Sequence, residues 1–485
     1  MAEQQRRHVH GVDYERAQAG YMGRRQLRSG AAGWVLLAGL GIAYVISGDF
    51  AGWNFGIGEG GWGGLMIATV LMAIMYTCMV LGLAELSSSL PVTGAGYGFA
   101  RRALGPLAGF ATGTAILIEY AIAPAAIVVF IGGYVESLDL FGIEAGWPVY
   151  LAFYAVFVGI HLYGVGEALK LMFVIMAIAV VGLIAFTIAM IPQFDPSNLT
   201  DIAPDTSKTG ASDLLPFGFA GALAALVYGI WFFLAIEGVP LAAEETKDPA
   251  ADMPRGIITG MIVLLVFAAL MLTLAPGGSS AQALADTDSP LPDALAIAYR
   301  DGAFIEEFVN YIGLFGLIAS FFSIIYAYSR QMYALSRAGY LPRFLSITSG
   351  RRTPWVALVV PGTVGFLLAA ITEAGDRMIQ IAVFGAVVSY ILMMASHIVL
   401  RRTEPDLMRP YRTPGGVITT GVALVLAAAA LVAVFFVDET AALIVAAVFI
   451  AHLAYFWFYS RHRLVADAPE EEFEAIERAE AELSG

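Results

Sequence analysis

Runs of about 20 apolar residues, each cut from the next by a short polar stretch, recur from Ala31 to Tyr459. As a helix, a run of that length crosses the roughly 30 Å of hydrocarbon in a bilayer, so the pattern predicts membrane-spanning helices rather than a soluble core. Twelve such segments are predicted, near 31–57, 62–85, 105–135, 147–163, 168–191, 214–239, 255–275, 304–335, 354–372, 377–400, 415–437 and 440–460, numbered 1 to 12 here in chain order. The chain then divides into a polar tail (1–30), five segments (31–191), an intervening loop (192–213), five more segments (214–400), segments 11 and 12 (401–460) and an acidic tail (461–485).

A hydrophobic content of 59 % with only 14 % charged residues argues against a soluble enzyme. The first thirty residues are polar and Arg-rich, and the first apolar run is too long and lacks a small-residue cleavage pattern, so no removable signal peptide is expected. Cys78, the single cysteine, lies in segment 2 and leaves neither disulfides nor a Cys-based metal site to organise the fold. No H-E-x-x-H occurs and the histidines are scattered; His161 and His397 read as structural residues near helix ends.

Charge placement gives orientation. Arg6, Arg7, Arg16, Arg24, Arg25 and Arg28 crowd the N-terminal tail, and further basic residues follow even-numbered segments, such as Arg101 and Arg102, Lys247 and Arg255, or Arg401 and Arg402. Lys208, Arg300 and Arg377 fall on the other side. This bias with an even number of spans predicts a cytoplasmic-membrane protein with both termini in the cytoplasm. The net charge of −14 reflects acidic stretches such as Asp195, Asp201, Asp205 and Asp213, together with the tail "PEEEFEAIERAEAELSG". The tail is expected to be solvated, with Phe473, Ile476 and Leu483 along one side if it turns helical. Nothing calls for a nucleic-acid partner; the lipid bilayer is the expected surrounding.

Two segments carry interruptions. Segment 1 breaks at "ISGDFAG", and segment 6, five segments later, at "WFFLAIEGVP", where Glu237, Gly238 and Pro240 disturb an apolar helix. Paired breaks in corresponding helices of two halves are the sequence pointer to a secondary transporter, with substrate held where the backbone unwinds. The spacing of Gly48, Gly52 and Gly56 also suits plain helix packing. Asp49 favours the transporter reading, because a carboxylate at membrane depth costs several kcal/mol unless paired or hydrated and usually faces a cavity.

Longer motifs sharpen this. The stretch "IEGVPLAAEETKDPAADMPRGI" (236–257) resembles the sixth span and following loop of the amino acid-polyamine-organocation permeases. "ELSSSLPVTGAGYGFARRALGP" (85–106) and "SRQMYALSRAGYLPRFL" (329–345) resemble their loops after spans two and eight. The resemblance implies an all-α polytopic fold of 12 transmembrane helices, a LeuT-like five-plus-five inverted repeat with broken helices 1 and 6 and two extra helices. It also implies substrate between spans 1, 3, 6 and 8. "GLGIAYVISGDFAGWNFG" and "GTAILIEYAIAPAAIVVFIGGYVES" look most like ethanolamine permeases. Amino acid members bind the substrate carboxylate on backbone N–H groups in a Gly-Ser-Gly-like break; here the matching residues are Ile46-Ser47-Gly48-Asp49. A fixed carboxylate there repels a substrate carboxylate and attracts the ammonium of a plain amine.

The expected substrate is therefore ethanolamine or a related small cationic amine, imported by alternating access. Asp49 is its counter-ion, with Trp53, Tyr120, Trp231 and Phe232 as candidate cation-π faces and Ser47, Gly48, Gly238, Ser320 and Ser323 as candidate polar contacts. Each also has a bland reading: aromatic bulk for packing, hydroxyls bonded to their own helix. Glu119 and Glu237 are candidates for substrate binding and for coupling or gating; Glu85 and Glu167 read as solvated or capping groups. No G-x-x-x-x-G-K-[ST] loop points to ATP, and no cofactor or catalytic residue is expected. Proton-coupled relatives carry a lysine in span five where this chain has Ala179, which leaves H+, Na+, exchange or the membrane potential open as the driving force. Oligomeric state is not legible. The rival readings are a neutral amino acid permease, in which Asp49 pairs with another residue, and a transporter-like ligand sensor. The tails offer the sensor no recognisable output domain. An aspartyl-protease reading of "SGD" fails because Ile46 breaks the G-x-G-D pattern.

Overall fold

The structure is a computed structural model that describes residues 7–9, 11–15, 21, 30, 32–91, 94–138, 142–163, 165–299, 304–465 and 468. Apart from one small sheet these residues are mainly helical, and ten helices among them are long and apolar enough to cross a membrane. Two of the twelve predicted segments fall short of that length: Trp34–Val45 and Trp147–Tyr163 are apolar but shorter helices. Segment 1 is short because its helix stops after Val45, just ahead of the predicted break.

Its C-terminal end is joined to segment 2 in one helical run, Phe55–Ser89, bent at Gly61. Gly61 has φ 71° and ψ 171°, and a Cβ there would lie 2.3 Å from the Pro216 ring. Only glycine fits both the dihedral and the close approach.

Burial separates centre from rim. In Pro106–Ser137, segment 3, 83 % of the most apolar window is buried, against 22 % in Glu439–His462. Segment 3 packs against Gly375–Thr403 and Phe304–Arg337 and forms the middle of the bundle, whereas the last helix faces outward.

The chain ends meet in the sheet. β1 (Arg7–Val9) pairs antiparallel with β2 (Val12–Glu15), and β2 pairs parallel with β3 (Leu464–Val465). Val12, Tyr14, Leu464 and Val465 form a small core with Tyr97, Phe110, Tyr340 and Phe456 at the Arg-rich end of the bundle. Part of the predicted polar tail is therefore folded; the tail positions Phe473, Ile476 and Leu483 lie outside the described residues.

Glu85 corrects another expectation. It is neither solvated nor a helix cap but buried, accepting from Arg401 Nε at 2.6 Å and from the Thr413 backbone N–H at 2.7 Å. Arg409 Nε lies 3.0 Å away and His397 Nε2 at 3.3 Å. The cluster ties the end of segment 2 to segment 10 and the loop after it. Glu167 has no described side-chain environment. His161 Nε2–H donates to the Phe322 carbonyl at 2.9 Å and the ring stacks on that of Phe322, so both histidines have internal structural partners.

Glu85→Ala strands two guanidiniums and is expected to destabilise by about 3 kcal/mol, the usual cost of removing one partner of a buried ionic cluster. A melting temperature equal to wild type in detergent would refute that. At the opposite, acidic end, partial burial and then the carboxylates of Asp376, Glu136 and Asp293 raise the Asp288 carboxyl to about 6. A carboxyl raised by folding binds protons more tightly in the native state, so its penalty is absent below about pH 4 and sets in as pH rises toward 6. Asp288→Asn should therefore raise the melting temperature at pH 7.5 and leave it unchanged at pH 4; equal shifts at both pH values would count against this.

Candidate functional site

Segment 1 unwinds between two short helical pieces. Trp34–Val45 is followed by the single turn Ser47–Phe50, an extended Ala51 (φ −158°, ψ 161°) and Gly52 at φ 90° before helix resumes at Phe55. Segment 6 does the same: Gly218–Ala224 and Leu226–Trp231 give way to a turn with Ala235 left-handed at φ 79°, then to a tighter 3₁₀ stretch, Ile236–Glu245. The interruption falls at Phe232–Ala235, just ahead of Glu237, Gly238 and Pro240.

The two breaks face each other. A Cβ on Gly48 would lie 2.5 Å from the Trp231 carbonyl oxygen, and one on Gly52 2.5 Å from Trp231 Nε1. The Trp231 indole N–H donates to the Ala51 carbonyl at 2.9 Å, and Trp53 stacks on Phe232 with ring centroids 5.7 Å apart. Gly48 is thus required for contact between the breaks.

Neighbouring helices satisfy the exposed backbone. Ser320 Oγ of segment 8 accepts from the Ser47 N–H at 3.0 Å and lies 2.8 Å from the Ala43 carbonyl, to which it donates. Tyr134 of segment 3 donates to the Phe50 carbonyl at 2.9 Å. Asn54 accepts from the Gly52 N–H and donates to the carbonyls of Leu284 and Thr287, both at 2.8 Å, anchoring the break to the loop before segment 8. Ser323 instead donates to the Ser320 carbonyl of its own helix at 3.0 Å.

Within this arrangement Asp49 is fully buried, and neither carboxylate oxygen has a hydrogen-bond partner among the described residues. Trp53 Nε1 is likewise without an acceptor. Such a carboxylate, with no salt-bridge partner among the described residues, is suited to hold a cation.

A second polar cluster lies around Glu237. Its carboxylate accepts from Tyr120 at 2.7 Å and from Tyr390 at 3.0 Å, and Tyr390 is 2.9 Å from the Tyr76 hydroxyl. Glu119 lies beside Glu237 and Tyr390, yet neither of its oxygens meets hydrogen-bond geometry with a described group. Gly238 fits beneath Tyr120 and Tyr44, where a Cβ would come within 3.0 Å of the Tyr120 hydroxyl. Two adjacent buried carboxyls with tyrosine donors can bind and release a proton. Ala179, at the position of the lysine of proton-coupled relatives, is buried and carries no charge.

Of the eleven other predicted site residues, ten lie with Asp49 around the facing breaks and the Glu237 cluster; Ser323 is the exception, its hydroxyl spent on its own helix. Sequence reasoning missed Tyr76, Tyr390, Tyr134 and Asn54. A tyrosine in an aromatic-rich span carries no distinguishing signal, and Asn54 follows the break by only a few residues.

Beyond the site, the Arg-rich end is closed by ion pairs. Arg330 and Glu245, both buried, are 3.0 Å apart, with Tyr326 bonded to the same carboxylate; Arg337 and Glu244 are 2.7 Å apart. The Ala32 N–H donates to the Glu245 carbonyl and the Lys247 N–H to the Ala32 carbonyl, joining the ends of segments 1, 6 and 8. At the acidic end a groove of about 340 Å³ opens among Phe55, Glu59, Tyr228, Gln282, Asp286 and Asp376.

This architecture agrees with comparison to known proteins. The family model described as amino acid permease matches residues 35–468. An uncharacterized transporter of Rhizobium meliloti is 29 % identical over 404 residues, covering 82 % of this chain and 84 % of its own. A branched-chain amino acid permease of Bacillus subtilis is 27 % identical over 381 residues (74 % and 78 %), and a methylthioribose transporter of the same organism 25 % over 369 (72 % and 76 %). The broken, glycine-fitted segments and the match over most of the chain lead to one conclusion: the protein belongs to the amino acid permease family of the amino acid-polyamine-organocation superfamily, and it is a membrane transporter.

Proposed function

We propose that this permease imports ethanolamine or a closely related small amine by alternating access, with Asp49 as counter-ion to the ammonium. The observation that carries the reading is the unpartnered, fully buried Asp49 carboxylate where the two breaks meet. Of the other buried carboxylates of the described bundle, Glu85, Glu237 and Glu245 have donors in contact, and Glu119, unsatisfied like Asp49, sits beside a second carboxyl, Glu237, where a shared proton serves it. Asp49 lacks one, and a cationic substrate supplies it. An α-amino acid would bring its own carboxylate against Asp49.

The same reading takes segments 1 to 10 as two inverted repeats of five, with segments 11 and 12 added and both termini in the cytoplasm. Facing breaks five segments apart support the repeat, and the basic residues gathered at one end support the orientation. Closed ion pairs at that end and a groove at the acidic end suit a bundle facing outward, where carboxylates raise the local concentration of cations. Glu119 and Glu237 then serve as the proton-coupling pair, with Na+ as the alternative ion.

A neutral amino acid permease is the second reading, supported by the family description and the branched-chain permease relative. Cargo nonetheless differs among relatives of similar identity, as the methylthioribose transporter shows, so family alone does not choose it.

Uptake of labelled ethanolamine into proteoliposomes separates the two. Wild type should accumulate ethanolamine without competition from alanine or leucine, and a well-folded Asp49→Asn variant should lose at least about tenfold in uptake, equivalent to about 1.4 kcal/mol. Alanine as the better substrate, or normal transport by the variant, would establish the amino acid reading. For coupling, Glu119→Gln should abolish the response to an imposed proton gradient while retaining ethanolamine binding. If wild-type uptake follows a sodium gradient and ignores pH, the carboxyl pair is not the coupling element.

A further inference from the structure

A groove of about 520 Å³ lies at the Arg-rich end, remote from the facing breaks, lined by Trp34, Pro254, Arg255, Ile258, Thr259 and Tyr411. It joins three parts of the chain: the start of segment 1, the first turns of Pro249–Gly277 and the loop after segment 10. We infer that this groove binds one anionic phospholipid of the cytoplasmic leaflet, its phosphate on Arg255 and an acyl chain along Ile258.

Three observations support that occupant. First, Arg255 is exposed and has no hydrogen bond or ion pair with any described residue, whereas Arg102, Arg401 and Arg409 at the same end hold carboxylates. Asp252, one turn earlier, points toward Gly33, where a Cβ would lie 4.0 Å from its Oδ2. A lone guanidinium is well matched to a phosphate diester.

Second, the groove opens onto lipid rather than water. Ile262 and Val266, one and two turns beyond Ile258 on the same helix face, are 57 % and 53 % exposed. An acyl chain seated on Ile258 therefore continues along a stripe that already faces hydrocarbon. Third, Trp34 is 42 % exposed at the groove and Tyr411 is partly so, the amphipathic rings that collect at headgroup level. Basic pockets between spans on the cytoplasmic side are where anionic headgroups bind.

The position gives such a lipid a role. Segment 1 and this helix are in close register just above the groove, where a Cβ on Gly256 would lie 2.6 Å from Leu37 Cβ and one on Gly260 3.3 Å from the Ala38 carbonyl. A lipid bridging Trp34 and Arg255 adds a contact across that seam and steadies the inner half of segment 1. The inference rests on the cytoplasmic orientation proposed above and is independent of the substrate.

Native mass spectrometry of the purified full-length protein, titrated with dioleoyl phosphatidylglycerol or dioleoyl phosphatidylcholine, tests it. Wild type should retain phosphatidylglycerol preferentially. Arg255→Ala should weaken that retention about fivefold, the effect of one basic side chain at an anionic surface. Arg255→Lys should keep most of it, Ile258→Trp should fill the groove and lose it, and Arg402→Ala, on the same side but outside the groove, should match wild type. Soluble glycerol 3-phosphate should displace nothing. Equal retention of the two lipids, wild-type retention by Arg255→Ala, equal loss in Arg402→Ala, or displacement by glycerol 3-phosphate would each overturn the assignment. Uptake is not part of this readout, so failure of the substrate reading leaves it standing.

Discussion

Inside a bilayer no water is available to satisfy a freed N–H or carbonyl, so a helix can be interrupted only where the protein itself supplies the missing partners. This constraint accounts for much of the centre of the molecule. The break in segment 1 is lined with donors and acceptors from elsewhere: Ser320, Trp231 and Tyr134 each reach in from a different helix, and Asn54 beside the break ties it to the Leu284 and Thr287 carbonyls. Phe50 wedges its ring against Gly313 and Gly316 of segment 8, where any larger residue would collide. The unwound stretch is thus held in one shape by its neighbours, and mobility of that stretch requires those neighbours to move with it.

The same constraint makes the exception informative. Where this chain buries charge, it surrounds it: Glu85 has three basic side chains and a backbone N–H, and Glu245 has Arg330 and Tyr326. Against that background Asp49 and Glu119 are the buried carboxyls left without donors among the described residues, and both lie next to an interrupted helix. A membrane protein that neutralises its structural carboxylates so thoroughly has a use for the ones it does not.

Much of this was legible in the sequence for a simple reason. Hydrophobic runs, a Gly-Asp interruption and an "IEGVP" interruption are local signals, and each helix carries its own. Segment positions, both breaks and the burial of Asp49, Glu119 and Glu237 follow from them. What depends on partners hundreds of residues away was not legible: Glu85 looked like an end-of-helix acid because Arg401 and Arg409 are remote in sequence, and Tyr390 looked like any aromatic residue in a span. Ser320 and Ser323 looked equivalent, yet a difference of three residues turns one toward the break and the other back on its own helix.

The sheet at the Arg-rich end joins the first strands of the chain to residues that follow the last span, with Asp13 and His462 in contact across 449 positions. During synthesis the hairpin of β1 and β2 emerges first and has no third strand until everything between has been made. At ordinary elongation rates that interval is on the order of tens of seconds. Closure of the sheet therefore waits on the residues after the last span: a product cut short before β3 lacks the Leu464 and Val465 side chains that pack with Val12 and Tyr14, so the basic-end core is incomplete until those spans have been made.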